Sequence, residues 1–250
     1  MSNRAHTAGC VVALLLAATA LNELQQKPAR DRSIRFGDIV LSGFETAELE
    51  LGAKARATGP STVVDAVDAD RKTTAQLRAR EIVAFMSRDK TAAAGGRGAE
   101  RVDKITAEGG VRFSAVRRPD PKAGDQTVKA TGSRAVYDRA KQVLTLSGPV
   151  SFAAEQPSPG GKGADKVTGT AERAVFDEAK QILQLSGEVE AKVITPDTPE
   201  EGSTVTGDEV KIEMAEQPYR VSIVNASMKG SVNIRVRAPE PGSKPDGKKP

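Results

Sequence analysis

The fold is decided by the stretch Arg134-Ala-Val-Tyr-Asp138, Ala140-Lys-Gln142, Leu144-Thr-Leu-Ser-Gly148. It returns 39 residues later as Arg173-Ala-Val-Phe-Asp177, Ala179-Lys-Gln181, Leu183-Gln-Leu-Ser-Gly187. Such self-similarity at a fixed spacing marks a repeat architecture. Related segments at Gly109-Gly-Val111 and Gly230-Ser-Val232 extend the pattern in both directions. The sequence therefore predicts four related units.

Apolar residues occupy every second position within each unit, which is the period of a β-strand with one buried face. The residues between them are mostly polar, as at Thr145, Ser147 and Ser151. The predicted buried, apolar face, called the dry face below, carries Ile105, Val111, Phe113, Leu144, Leu146, Val150, Phe152, Leu183, Leu185, Val189, Met228, Val232 and Ile234.

A glycine stands in the middle of each of these strands, at Gly109, Gly148, Gly187 and Gly230. Glycine weakens a strand unless the backbone must bend there or be approached closely. Four aligned glycines therefore predict a crease across a sheet, which folds each long strand so that its halves belong to two facing sheets.

Each creased strand is preceded by a partner strand, at residues 127–138 and 166–177. Short turns at 139–142 and 178–181 connect the pairs, as in antiparallel hairpins. The loops expected between hairpins are rich in Pro, Gly or acidic residues. We expect an all-β fold built from repeated hairpins of about 39 residues, with strands beginning near residue 36.

The two ends of the chain differ from the repeats. Residues 1–20 combine Arg4, a charge-free apolar run and the sequence Ala18-Thr19-Ala20, a pattern typical of a cleaved signal peptide. A retained signal anchor is the alternative. We expect a linker at 21–35, the β-domain at 36–237 and a disordered tail at 238–250.

The composition excludes several classes of function. The formal charge is only +4, and two Tyr, six Phe and no Trp provide little stacking surface, so nucleic-acid binding is not expected. The only His is His6 and the only Cys is Cys10, both within the expected signal segment. The acidic pairs Glu200-Glu201 and Asp208-Glu209 are interpreted as solvated charge, because Glu200-Glu201 lies in a predicted Pro-rich loop and neighbours in a strand, such as Asp208 and Glu209, point to opposite faces. We expect no catalytic residues, no metal and no cofactor, and hence no enzyme.

The repeated unit resembles the OstA-like, or LptA, family of periplasmic lipopolysaccharide-transport proteins. The resemblance rests on an aromatic residue followed by Asp and then Leu-x-Leu-x-Gly-x-Val. This motif appears at Tyr137-Asp138 to Val150 and at Phe176-Asp177 to Val189. Val205-Thr-Gly207-Asp208 matches the family's opening strand, and the likeness is closest from Val102 to Val236.

The resemblance implies a twisted, V-shaped antiparallel β-jellyroll that holds lipid acyl chains between its sheets. It also implies a periplasmic location, no catalytic activity, lipopolysaccharide or a related glycolipid as ligand, and partners in the inner and outer membranes. Both a bridge protein and an inner-membrane-anchored, LptC-like component fit it.

Alternation alone favours an ordinary sandwich core, because every sandwich has a buried face, and only the family resemblance favours a carrier. A structural repeat protein of the cell envelope is a further alternative. On the carrier hypothesis, the dry-face residues form a lipid groove. An open sheet also leaves edge strands that could join copies end to end or receive membrane partners. The basic residues Arg134, Arg173, Lys141 and Lys180 have two interpretations, contacts to lipid phosphates or charges beside turns.

Overall fold

The computed structural model describes residues 32–50, 52–68, 72–88, 100–118, 124–157, 163–194, 202–213, 220–224 and 227–229. The segments expected to be a signal peptide and a tail, 1–20 and 238–250, lie outside the described residues. The thirteen described strands are β1 Ser33–Phe36, β2 Ile39–Ser42, β3 Thr46–Glu50, β4 Lys54–Asp68, β5 Thr73–Arg88, β6 Glu100–Arg117, β7 Gln126–Asp138, β8 Val143–Pro157, β9 Ala164–Asp177, β10 Ile182–Ile194, β11 Ser203–Glu213, β12 Arg220–Val224 and β13 Ser227–Lys229. The first strand begins inside the segment that the sequence predicts to be a linker.

All thirteen strands form one sheet in which the long strands β4 to β11 follow each other in chain order. Every pairing is antiparallel. At each end, a long strand pairs with two short ones: β4 with β2 and β3, and β11 with β12 and β13. The prediction of an all-β fold made of repeated antiparallel hairpins is confirmed.

A line of β-bulges crosses the sheet and divides each long strand into two halves. Between β8 and β9, Ser147 pairs with Arg173 and Val150 with Ala171, so two residues of β8 oppose one of β9. Equivalent register shifts fall in β6 and β10. The residues at these shifts include Gly109, Gly148 and Gly187, with φ of +85°, +87° and +78°. Glycine adopts this left-handed conformation without steric cost, which explains its recurrence.

The strands between the bulged ones change the direction of their side chains at the same line. In β9, Ala171 and Ala174 are buried while Glu172 and Arg173 between them are both exposed. In β11, Asp208 is exposed and Glu209 is partly exposed, directly before the buried Val210. The expectation that Asp208 and Glu209 point to opposite faces is therefore not met, because the strand bends between its two halves.

The bulge line separates the sheet into two limbs that face each other. The turn limb contains residues 54–58, 81–88, 100–108, 134–138, 143–147, 173–177, 182–186 and 209–213, and it carries the turns at 139–142 and 178–181. The loop limb contains 62–68, 73–79, 111–117, 126–131, 150–157, 164–171, 189–194 and 203–207. One cluster of buried apolar residues from both limbs forms the core.

The repeated turns are stabilised by the Asp that opens each of them. The Asp177 carboxylate accepts hydrogen bonds from the Lys180 backbone amide at 3.0 Å and from its ammonium at 2.7 Å. Asp138 and Lys141 repeat the arrangement, with 3.1 Å to the amide and 3.3 Å to the ammonium. The two lysines therefore serve the turns, one of the two roles left open by the sequence. The turns close with Gln142 and Gln181, both at φ +55°.

These contacts lower the pKa of both turn carboxyl groups. For Asp177 the main cause is the hydrogen bond from the Lys180 ammonium, followed by the Lys180 backbone amide. For Asp138 the main cause is the Lys141 backbone amide. Hydrogen bonds that favour the charged carboxylate act in this direction.

Candidate functional site

A cavity of about 530 Å³ lies between the two limbs. It is bounded on one side by strands of the turn limb and on the other by the loop limb, from β4 to β9. Beside the bulge line, apolar side chains of both limbs are buried in one core cluster. Farther from that line they separate, and the cavity occupies the space between them.

The turn limb contributes one cross-strand row to the cavity wall. Ile105 pairs with Tyr137, Tyr137 with Leu144, and Leu144 with Phe176, so their side chains lie next to each other on one face. All four line the cavity. The row next to it, nearer the bulge line, contains Leu146 and Leu185 and is fully packed.

The loop limb contributes the opposite wall. Val64 pairs with Leu77 and Leu77 with Phe113, which places these three side chains in a row. Ala115 pairs with Val128 in the next row outward. All five residues line the cavity. The small side chain at Ala115 increases the space between the limbs.

Polar side chains lie at the mouth of the cavity, where the two limbs meet across the opening. Arg117, at the end of β6, donates a hydrogen bond to Gln181 in the β9–β10 turn at 3.2 Å. Arg139, in the β7–β8 turn, makes a bidentate ion pair with Asp38 at 2.9 and 3.0 Å. Within the described part of the chain, Arg117 has Gln181 as its hydrogen-bond partner and makes no ion pair.

The sequence-predicted groove residues fall into three groups. Ile105, Phe113 and Leu144 line the cavity. Val111, Leu146, Val150, Leu183, Leu185 and Val189 are 0 to 5% exposed and belong to the packed core, because they lie near the bulge line or toward β11, where the limbs are closed. Phe152 is also buried, and its ring covers Gly169 of the neighbouring strand, since a Cβ at Gly169 would lie 2.8 Å from Phe152 Cζ.

The last predicted strand is only partly described. Met228 lies in β13, where its backbone pairs with Val205. Val232, Ile234 and Gly230 lie outside the described residues. Val224 pairs with Glu209 and Ser227 with Thr206, so β12 pairs with the turn-limb half of β11 and β13 with its loop-limb half.

Several cavity residues were not identified from the sequence. Tyr137 and Phe176 were quoted as the aromatic of the repeated motif but not assigned to the groove. The sequence pattern that could have identified them is period-two alternation. Tyr137 stands two positions after Ala135, and Phe176 two positions after Ala174, and both alanines are buried. Val64 and Leu77 belong to β4 and β5, where the repeat is too degenerate to predict the register.

Among the described residues, no cluster of His, Cys, Asp and Glu is arranged to hold a metal ion. The described ranges also contain no helix that is both long and apolar enough to cross a membrane. The cavity is lined by aliphatic and aromatic side chains together with polar ones, among them Gln76, Thr127 and the buried Gln156.

The fold and the cavity define a class: an all-β protein with one open antiparallel sheet, folded along a line of bulges around a mostly apolar cavity. No family model matches the chain, and no curated protein matches it. Among solved structures, it is similar to LptH from Pseudomonas aeruginosa, described as the LptA-homologous periplasmic component of the lipopolysaccharide transport device. The two are 16% identical, the match covers 79% of this chain and 98% of that one, and the TM-score is 0.39. The assignment of the fold rests on the strand pairing of this chain.

Proposed function

We propose that the protein is a non-enzymatic periplasmic carrier. It holds the acyl chains of lipopolysaccharide, or of a related glycolipid, between its limbs during transport to the outer membrane. The observation that supports this proposal is the cavity of about 530 Å³ between the limbs, whose walls are mostly apolar. Sites for small molecules typically enclose about 300–1,000 Å³ and are lined mainly by apolar side chains.

The cavity favours a carrier over the two alternatives left by the sequence. A sandwich core at native packing density leaves few voids larger than a water molecule. A purely structural repeat protein would also gain stability by filling this space, since empty apolar volume lowers the free energy of unfolding. The half-buried rings of Phe113 and Phe176 line this space.

One cation at the mouth of the cavity, Arg117, can contact the charged end of such a ligand. Acyl chains would lie against Leu77, Ile105 and Leu144, and the headgroup would remain at the opening. There Arg117 exchanges its neutral partner Gln181 for an anionic group, which forms a stronger, charge-assisted hydrogen bond.

A cavity-filling variant tests the proposal directly. Ala115→Trp places a large ring in the space between the limbs, and Thr145→Trp places the same ring on the outer face of β8 as a control. Both proteins are purified from the native envelope, and bound lipid is quantified by native mass spectrometry. We expect Ala115→Trp to lose most of the bound glycolipid and Thr145→Trp to retain it. Equal lipid in both variants, or no lipid in the unmodified protein, contradicts the proposal.

A further inference from the structure

A second concavity, of about 450 Å³, lies on the outer face of the loop limb. Its lining includes the cations Arg78, Arg112 and Lys129 and the hydroxyl groups of Ser114, Thr131 and Ser151. The flanking residues Leu77, Val111 and Ala130 are buried. Since side chains alternate along a strand, the three cations point away from the apolar cavity.

Two of these cations face each other directly. Arg78 of β5 pairs with Arg112 of β6, and Ser114 pairs with Lys129 of β7. Directly opposite side chains on one face lie about 5 Å apart at Cβ, and like charges in this position are destabilising. Lys129 lies on the diagonal from Arg112, about 7–8 Å away. The sheet therefore holds three positive charges close together at a cost in stability.

Neighbouring carboxylates do not neutralise this cluster. Glu81 pairs with Arg56 at 3.0 Å, Glu108 with Arg134 at 3.2 Å, and Glu155 with Lys166 at 3.5 Å. Asp65 accepts a hydrogen bond from Gln76 at 2.9 Å. Within the described ranges, Arg78, Arg112 and Lys129 make no ion pair.

We propose that this concavity binds a compact phosphorylated ligand carrying two or more negative charges. Guanidinium groups bind phosphate oxygens in a bidentate manner, and the adjacent hydroxyl groups supply further donors to the same anion. The ligand is either a soluble phosphate compound or the phosphorylated headgroup of a lipid. This site lies on the opposite face of the sheet from the apolar cavity and does not depend on the carrier function.

The test uses isothermal titration of the full chain at low ionic strength in a phosphate-free buffer. The probes are inorganic pyrophosphate, phosphatidylcholine vesicles with and without phosphatidic acid, and a polyglutamate peptide of the same charge as pyrophosphate. The variants are Arg112→Gln and Lys129→Gln. Lys104→Gln is the matched control, because Lys104 is an exposed cation on the turn limb, 5.9 Å from the centre of the Phe85 ring.

We expect pyrophosphate to bind the unmodified protein. Its affinity should fall about tenfold in Arg112→Gln and in Lys129→Gln, which is the loss typical of one charge-assisted contact. Lys104→Gln should retain full affinity. Arg112→Gln should not lower the unfolding temperature, because it removes a repulsion, so loss of binding cannot be attributed to misfolding. If binding of phosphatidic acid vesicles is weakened by the same two substitutions, the ligand is a lipid headgroup. If only pyrophosphate binds, the ligand is a soluble phosphate compound.

Two results would overturn the inference. One is that neither pyrophosphate nor phosphatidic acid vesicles bind, or that they bind the Arg112→Gln and Lys129→Gln proteins as tightly as the unmodified protein. The other is tighter binding of polyglutamate than of pyrophosphate, which would assign the cations to an acidic protein partner. Neither result affects the carrier proposal, which is measured by lipid in the apolar cavity.

Discussion

At the scale of single residues, the bulge glycines determine whether the sheet can fold into two limbs. Gly148 has φ +87°, and a Cβ added there would lie 2.6 Å from Ser133 Cβ. We expect Gly148→Ala to lower the free energy of unfolding by about 1–3 kcal/mol from backbone strain, with the steric conflict in addition.

Denaturant unfolding of a pair of variants separates these two causes. Adding Ser133→Gly to Gly148→Ala removes the opposing side chain but leaves the strained φ, so we expect partial recovery of stability. Gly110→Ala is the reference for strain alone, because Gly110 has φ +72° with open space around its missing Cβ. A Gly148→Ala protein as stable as the unmodified one would contradict the role assigned to the bulge.

The turn carboxylates predict a specific pH dependence. Hydrogen bonding lowers the pKa of Asp177 in the folded state. Its contribution to stability is therefore complete above the unfolded-state pKa, about 3.9, and is lost as the pH falls through the lower folded-state pKa. We expect Asp177→Asn to lower the thermal unfolding midpoint at pH 7 and this difference to shrink in acid. Asp138→Asn should behave in the same way, and a difference independent of pH would contradict the assignment.

At the scale of elements, the hairpins were predictable because the repeat preserves both the alternation and the turn sequence. The two turns carry the same Asp, Lys and Gln at equivalent positions, which predicts the same turn structure at both. The strand boundaries next to these turns, from β7 to β10, therefore follow from the sequence. The cavity was less predictable. Its wall depends on which rows lie far enough from the bulge line for the limbs to separate, and this distance is a property of the folded sheet rather than of any one strand.

The edges of the sheet lead to a prediction about assembly. Among the described strands, β1 is paired only with β2 and lies at one end of the sheet. The Gly43 amide donates to Arg32, so in the same register the Arg35 amide points away from β2 and toward the free edge. We propose that this edge joins a strand of another copy or of a membrane partner.

Substitution at this edge tests the proposed pairing. Arg35→Pro removes the outward donor and leaves the β1–β2 hydrogen bonds intact, whereas Arg35→Ala keeps the donor. Sedimentation velocity should show concentration-dependent assembly in the unmodified and Arg35→Ala proteins and its reduction in Arg35→Pro. Identical sedimentation of all three would exclude this edge as the junction.

At the scale of the whole molecule, the limbs are packed beside the bulge line, separate around the cavity and make contact again at its mouth. On the carrier proposal, lipid enters through the mouth, and the contact between Arg117 and Gln181 must then open. We expect a bis-maleimide link between Arg117→Cys and Gln181→Cys, made in a Cys10→Ser background, to slow lipid uptake strongly. The same reagent between Lys141→Cys and Lys180→Cys joins two turns of one limb and should have little effect. The rate of uptake of a fluorescent glycolipid is measured for both cross-linked proteins. If the two links slow uptake equally, entry between the limbs is contradicted.

Fluorescence quenching of single tryptophans tests the central claim most directly, because the natural chain contains no Trp. Phe113→Trp places the reporter on the cavity wall, and Phe85→Trp places it on the outer face, where Phe85 is 40% exposed. A glycolipid with brominated acyl chains quenches only an indole that it contacts. The account predicts saturable quenching at position 113 and none at position 85. Equal quenching at both positions, or none at 113, would show that acyl chains do not occupy the cavity between the limbs.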